Sequence, residues 1–419
     1  MMRLGIIADD FTGATDIAGF LVANGLSTIQ LNGVPDKDLQ VQADAVVISL
    51  KSRSNPPDEA VAMSLQALDW LRERNCEQFF FKYCSTFDST ARGNIGPVTD
   101  ALLDALGEEL TVICPALPVN GRTIYNGYLF VNGVPLAESG MRHHPVTPMT
   151  DSNLMRLMEA QSRGKCGNVR SDDVAQGPEA VKSALEALKA QGMRYAVLDV
   201  LNSRDVATVG QAVAGMKLVT GGSGLADGMA KAWTDRLSDP EQAAAAGKPS
   251  GARPVVLSGS CSQMTNAQVA AYKEEAPACP VDVVRCLTDD DYADELFAWT
   301  RDQQGGDLAP LVFATTDPDT LGRIQRQYGA EQASAAVERT FGRLAKLLAE
   351  DGTDTFIVAG GETSGVVVQS LGVTGFHIGP QIAPGVPWVR AVDRPISLAL
   401  KSGNFGGPRF FFDAQERQG

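Results

Sequence analysis

The sequence predicts an α/β protein with two α/β domains, each built on a mostly parallel sheet, and a cleft between them. Three observations carry that expectation. Short β-rich runs alternate with helical stretches, as in βαβ units whose parallel sheet is covered by helices. The chain has 419 residues, too many for one ordinary core on a prior of roughly 150 residues per domain. The stretch Ser238–Pro254 is poor in large apolar residues and rich in Ala, Gly and Pro, so it reads as a linker.

The simplest division is therefore 1–237 and 252–419. In the first domain Arg3–Ala8, Asp44–Leu50, Gln78–Cys84, Leu110–Leu117, Tyr195–Val200 and Lys217–Thr220 read as strands. Ile17–Asn24, Asp58–Arg74 and Pro97–Leu106 read as helices. From Asn120 to Thr150 the rhythm breaks into an irregular segment rich in Gly, Pro, Asn and Arg. Its Tyr125, Tyr128, Leu129 and Phe130 argue that it is ordered, and a long ordered loop is usually functional. In the second domain Val255–Leu257, Val281–Val284, Leu311–Ala314, Thr355–Val358 and Ile396–Leu400 read as strands, and Asn266–Glu275 as a helix. No internal repeat is visible.

Composition narrows the function. Hydrophobic residues make up 44% and charged residues 21%, an ordinary globular mix. Acidic residues number 50 against 36 basic ones, a formal charge of −14. That field repels nucleic acid and anionic membrane, so neither is expected as a partner. An anionic substrate must then be held by a local cluster of Lys and Arg. The seven Cys show no CxxC spacing and several lie in apolar runs, which reads as reduced core thiols and no metal site. The N-terminus lacks a signal peptide's apolar segment, and no apolar run reaches the ~18 residues of a membrane span. A cytoplasmic protein is expected, with a homo-oligomer left open.

Chemistry-bearing residues cluster where predicted strands end. In Ala8–Asp16 (ADDFTGATD) a buried strand ends in Asp9 and Asp10, and a Gly-containing turn opens a helix. Ligands of open α/β sheets bind at such carboxyl ends, and helix N-termini favour anions. Asp9 or Asp10 would serve as a general base, with Thr12 and Asp16 beside the substrate. An Asp helix cap would explain one of these carboxylates but not the pair. In Lys82–Pro97 (KYCSTFDSTARGNIGP) a strand delivers Lys82, followed by Asp88, Ser89, Arg92 and Gly93. Lys and Arg suit a carboxylate, Asp and Ser suit hydroxyls, and together they fit a polyhydroxy acid. Pro118–Gly133 adds Arg122 to that basic cluster, with Asn120 beside it as a further substrate contact, and Arg142 extends it. His143 and His144 are adjacent, so their side chains diverge, and the one other His is His377; loop orientation is the better reading than metal.

In the second domain VLSGSCS (Val256–Ser262), IVAGGETSG (Ile357–Gly365) and LALKSGNFGG (Leu398–Gly407) each run from a strand into small residues. Glycines let backbone N–H groups approach phosphate, so the co-occurrence suggests a nucleotide pocket. No GxxxxGK[ST], no GxGxxG after the first strand, no GxSxG and no HExxH is present.

At ADDFTGATD, KYCSTFDSTARGNIGP and GGETSG the sequence resembles the four-carbon acid-sugar kinase family, over essentially the whole chain. The stretch Glu138–Leu154 (ESGMRHHPVTPMTDSNL) tilts the resemblance toward the 3-oxo-tetronate branch over the threonate and erythronate branches. The resemblance implies phosphoryl transfer from ATP, with Mg2+ on the triphosphate, to the C4 hydroxyl of a 3-oxo-tetronate. It implies a sugar-acid-binding first domain and a nucleotide-binding second one. ATP contacts are implied at Ser258, Gly360, Gly361, Glu362, Thr363 and Gly403. It does not single out a catalytic base. Two rivals are an ATP-dependent ligase that activates the carboxylate, and a sugar-acid sensor that uses nucleotide as a switch.

Overall fold

The structure is a computed structural model that describes residues 3–144, 147–233 and 239–416. The chain divides into two compact units, Met1–Ala243 and Ala244–Gly419. The stretch read as a linker is largely built: Pro240–Ala244 is a helix, Ala245–Gly247 a 3-10 turn, and Pro254 opens a strand. Ser238 lies outside the described residues. No helix among the described residues is long and apolar enough to cross a membrane.

Unit 1 holds strands β1 (Leu4–Ala8), β2 (Thr28–Asn32), β3 (Ala45–Ser49), β4 (Gln78–Lys82), β5 (Thr111–Cys114), β6 (Arg122–Tyr125), β7 (Tyr128–Val131), β8 (Val134–Pro135), β9 (Cys166–Val169), β10 (Tyr195–Leu198) and β11 (Leu218–Gly221). Its main sheet runs β2-β3-β1-β4-β11-β5-β10-β9 and is parallel throughout. The central strands are apolar on both faces, as a helix-covered sheet demands: Ile6, Val47 and Phe80 are buried on one face and Ile7, Ile48 and Phe81 on the other. From β1 the chain runs to β2 and β3 on one side, then crosses to β4 on the other. The carboxyl ends of β1 and β4 therefore flank a topological switch point, the usual ligand position in open α/β sheets.

Two expectations for unit 1 need correction. Helix α1 spans Phe11–Ala23 and starts six residues before the predicted Ile17, because the Asp10 side chain caps it by accepting the Gly13 N–H at 2.9 Å. The Asn120–Thr150 segment is not irregular. Strands β6, β7 and β8 form an antiparallel sheet, with left-handed Asn126 and Gly127 at one turn and Asn132 and Gly133 at the next. Asn-Gly supplies the two positive φ values of a tight hairpin at least cost. The buried Asp199 carboxylate accepts the N–H groups of Asn126 at 2.7 Å and Gly127 at 2.9 Å, tying this arm to the end of β10.

Unit 2 holds β12 (Pro254–Ser258), β13 (Ala278–Pro280), β14 (Leu311–Phe313), β15 (Thr355–Ala359), β16 (Gly375–Ala383), β17 (Val386–Ala391) and β18 (Ser397–Lys401), in the order β13-β14-β12-β15-β18-β17-β16. Pairing is parallel from β13 to β18, and β17 and β16 add an antiparallel edge. The strand expected at Val281–Val284 is instead a helix start, Val283–Thr288, since Asp282 accepts the Val284 and Arg285 N–H groups. Here too the chain goes from β12 to β13 and β14 on one side, then to β15 on the other, so a second switch point lies at the β12 and β15 ends.

Candidate functional site

At the first switch point β1 and β4 pair in register through Ala8 and Lys82. Asp9 is buried, and its carboxylate is held by a two-pronged contact from Arg53, with Nε to Oδ2 at 2.9 Å and Nη2 to Oδ1 at 2.7 Å. The same Nη2 lies 2.9 Å from Asp10 Oδ1. Arg53 sits just beyond β3, whose last residue Ser49 pairs with Ala8. Its loop is clasped by Asn94, whose amide donates to the carbonyls of Ser52, Arg53 and Asn55. Lys82 is buried and donates to the Tyr83 carbonyl at 2.9 Å. A Cβ added at Gly13 would stand 2.3 Å from Asp10 Oδ1 and 2.8 Å from Lys82 Nζ, so this glycine is demanded by close approach. Asp16 accepts from the Ser223 hydroxyl.

This cluster sets three carboxylates against two cations. Burial pushes the Asp9 carboxyl above its ordinary range, and Arg53 offsets this only in part. Burial also acts on Asp10, but Arg53 and Lys82, with the Thr12 hydroxyl and Gly13 amide, outweigh it and hold Asp10 below that range. Asp16 is raised by burial despite the attraction of Lys82. Burial works against the Arg53 charge, yet Asp9 and Asp10 hold its pKa well above the ordinary value.

The other residues expected at this site separate into groups. The Asp88 carboxylate accepts from Thr86 Oγ1 at 2.6 Å. Ser89 is buried and its hydroxyl donates to Gln161 Oε1 at 2.6 Å. Gly93 lies so close to Ser89 that a Cβ would stand 2.0 Å from its Oγ. Both therefore shape the turn before the helix Ile95–Leu106. Arg92 is exposed and forms no ion pair among the described residues. Arg122 starts β6 and donates from Nη1 to the Asn120 carbonyl, while its Nε is buried without a hydrogen-bond partner. His144 accepts the Thr147 N–H at 3.0 Å, and the side chain of His143 lies outside the described residues. Among the described residues no group of three or more His, Cys, Asp or Glu side chains could hold a metal ion.

At the second switch point small residues replace charge. The turns after β12 and β15 line a cavity of about 290 Å³, whose wall includes Leu321, Ile324, Ala333 and Val337. Gly259, Ser260, Gly360, Gly361, Glu362 and Thr363 form its floor. Gly360 adopts φ 127°, open to glycine alone at low cost, and its N–H donates to the Lys401 carbonyl at 2.9 Å. Gly361 opens the helix Gly361–Ser370 with free space where a Cβ would be, so the helix N-terminus is accessible to an anion. Glu362 is exposed in its first turn, and Thr363 is buried. Gly403 lies against Ser260, where a Cβ would be 2.5 Å from its Oγ. Ser258 is fully buried with its hydroxyl 2.7 Å from Thr315 Oγ1, so it supports this floor from beneath.

Two residues at these sites escaped sequence reasoning. Arg53 follows a strand as Lys82 does, and the signal was its place in KSRSN after DAVVISL. Lys401 stands within LALKSGNFGG, whose glycine pattern points to backbone donors and not to the charge.

Comparison with known proteins follows the same division. Residues 4–229 match the model of the sugar-binding N-terminal domain, and residues 255–411 that of the nucleotide-binding C-terminal domain. A Brucella melitensis protein named 3-oxo-tetronate kinase is 67% identical over 99% of this chain and 95% of its own length. One of the same name from Escherichia coli K12 is 59% identical over 92% of this chain and 99% of its own. Among solved structures, a Salmonella typhimurium LT2 protein carried under a tRNA-synthase description superposes with TM-score 0.94 at 58% identity, covering 99% of both chains. The Haemophilus influenzae protein HI1011 superposes at 0.87 with 56% identity, covering 99% of this chain and 100% of that one. The chain belongs to the four-carbon acid-sugar kinase family, in which a sugar-binding N-terminal domain is joined to a nucleotide-binding C-terminal domain, alongside relatives named 3-oxo-tetronate kinase.

Proposed function

We propose that the protein is an ATP-dependent kinase that phosphorylates the C4 hydroxyl of a 3-oxo-tetronate. The observation that carries this reading is near-full-length identity to proteins of that name, 67% in the Brucella melitensis case. Unit 1 supplies the acceptor site and unit 2 the ATP site. The tRNA-synthase description of the Salmonella structure is not carried over, because a chain of charge −14 is a poor partner for a nucleic acid.

The charge count assigns the roles. Arg53 and Lys82 are engaged by Asp9, Asp10 and Asp16, so they hold the carboxylates in place. Arg92, which has no ion pair among the described residues, and Arg122, whose Nε has no hydrogen-bond partner among them, are left for the substrate carboxylate. Asp10 is the base for the C4 hydroxyl. Its lowered pKa keeps it ionised across the physiological range, and a loose phosphoryl transition state asks for a late, weak proton acceptor. Asp9 has both oxygens on Arg53 and serves as its anchor. Ser89 and Gly93 set the loop that carries Asp88 and Arg92.

In unit 2 the N–H groups in the first turn of the Gly361–Ser370 helix cradle the phosphates, with Gly403 beside Ser260, and the apolar wall takes the base. The donor set fits Mg2+ carried on the triphosphate, since no protein cage is present among the described residues and Glu362 is the exposed carboxylate beside the turn. When bound, Mg2+ neutralises charge on the phosphate oxygens.

An ADP-release assay over 3-oxo-tetronates, D- and L-threonate and D-erythronate tests the reading. Turnover is expected with a 3-oxo-tetronate, giving a phosphate ester stable to hydroxylamine. Turnover confined to threonate or erythronate would move the protein to another branch, and a hydroxylamine-trapped acyl phosphate would make it a ligase.

A further inference from the structure

Lys401, the last residue of β18, is fully buried. Its Nζ donates to Thr265 Oγ1 at 3.0 Å and to the Gly403 carbonyl at 2.9 Å, and no carboxylate pairs with it among the described residues. Thr265 Oγ1 in turn donates to the Gly403 carbonyl at 2.7 Å. Thr265 also meets Ser262, whose Oγ lies 3.1 Å from its hydroxyl and accepts its N–H. The Lys401 carbonyl accepts the Gly360 N–H. One residue thus touches all three small-residue turns of the second switch point: Ser262 through Thr265, Gly360 through its own backbone, and Gly403 directly.

A buried ammonium without a counter-charge is costly, and its hydrogen bonds recover only part of that cost. A methionine would fill similar space without the penalty. The charge makes physical sense when its partner is a polyanion that arrives from outside the chain. We propose that Lys401 is a positioning residue for ATP: it locks the Gly403 and Ser262 turns together and sets fixed positive charge beneath the triphosphate. This rests on the reading of unit 2 as the ATP site.

The surroundings make the charge testable by pH. Burial alone brings the Lys401 pKa down to about 8. The elements around it contribute dipoles and a ring, Thr265 on the Gln263–Tyr272 helix, Gly403 in the following loop and Phe410 with its ring centroid 5.9 Å away. Asp413 and Glu416 on the Phe410–Glu416 helix and Glu362 after β15 exert no resolved pull on it. In the empty enzyme Lys401 is charged below that pKa and neutral above it. Bound phosphate favours the charged form, so ATP binding above this pKa requires proton uptake and weakens as pH rises.

The experiment is calorimetric titration of the full chain with Mg-ATP, AMP and a 3-oxo-tetronate, for wild type and Lys401→Met. For Lys401→Met, ATP affinity is expected to fall about tenfold or more, AMP affinity by less than about threefold, and acid affinity not at all. ATP binding within about twofold of wild type would overturn the proposal while leaving unit 2 a nucleotide site. If the variant does not fold, wild type alone decides. Its ATP affinity should weaken about tenfold between about pH 7.5 and about pH 9, and a flat profile overturns the proposal. Wild type that binds no ATP would overturn the reading of unit 2, and the proposal with it.

Discussion

The two switch points share a strand order and differ in chemistry. Taking the strands of each unit in turn, both sheets place their first four as second, third, first, fourth: β2-β3-β1-β4 and β13-β14-β12-β15. The end of the first strand is thus exposed beside the fourth in both. At β1 it carries Asp9 and Asp10, facing Arg53 and Lys82, so the groups it presents are charged side chains. At β12 it carries Ser258 and Gly259, facing Gly360, so the groups it presents are small residues beside a helix N-terminus. The difference teaches that one strand order can present either charged side chains or small residues at its switch point, and the residues after the strand decide which.

That contrast can be broken by mutation. The largest effect is expected at Asp10. Asp10→Asn should lower kcat by about 10³-fold with ATP affinity unchanged, measured by steady-state kinetics beside calorimetry. Next is Gly403→Val, whose branched side chain would invade the space of Ser260 and Ser262. ATP affinity should fall about 100-fold while the acid still binds, and an equal loss for both ligands would mean general misfolding. Arg122→Ala and Arg92→Ala should each raise KM for the acid about tenfold or more, the value of a charge-assisted hydrogen bond, with KM for ATP unmoved. Ser89→Ala is the mildest. Loss of its bond to Gln161 should cost about 1–2 kcal/mol of stability, seen as a lower Tm, with little change in KM for the acid. A large KM effect without a Tm shift would put Ser89 on the substrate.

The sequence made legible the features in which local pattern and tertiary structure agree. The apolar run Leu4–Ala8 ending in two Asp, and Thr355–Ala359 ending in two Gly, are visible in the sequence as strand ends with candidate site residues after them. Arg53 was not, because its value lies in a contact with Asp9 across 44 residues that only the β1–β3 register creates. Ser89 was read as a ligand group because a polar run after a strand looks alike whether it faces solvent or Gln161. The antiparallel β16 and β17 were missed since they interrupt an expected alternation. Asn126-Gly127 and Asn132-Gly133 do announce their hairpins, within a stretch whose many Gly, Pro and Asn mask the strands between them.

The anchoring of the β6–β7 turn on Asp199 bears on enzyme engineering. Its carboxylate also takes the Ser171 N–H and the Asn168 side-chain amide, so one residue far along the chain ties this turn to β9 and the residues after it. A transplant of residues 120–150 into a cousin with another acid preference would carry the fingers without their knuckle. Such a graft should be cut to include Asp199 and its partners, or the recipient must already offer a carboxylate at the same socket.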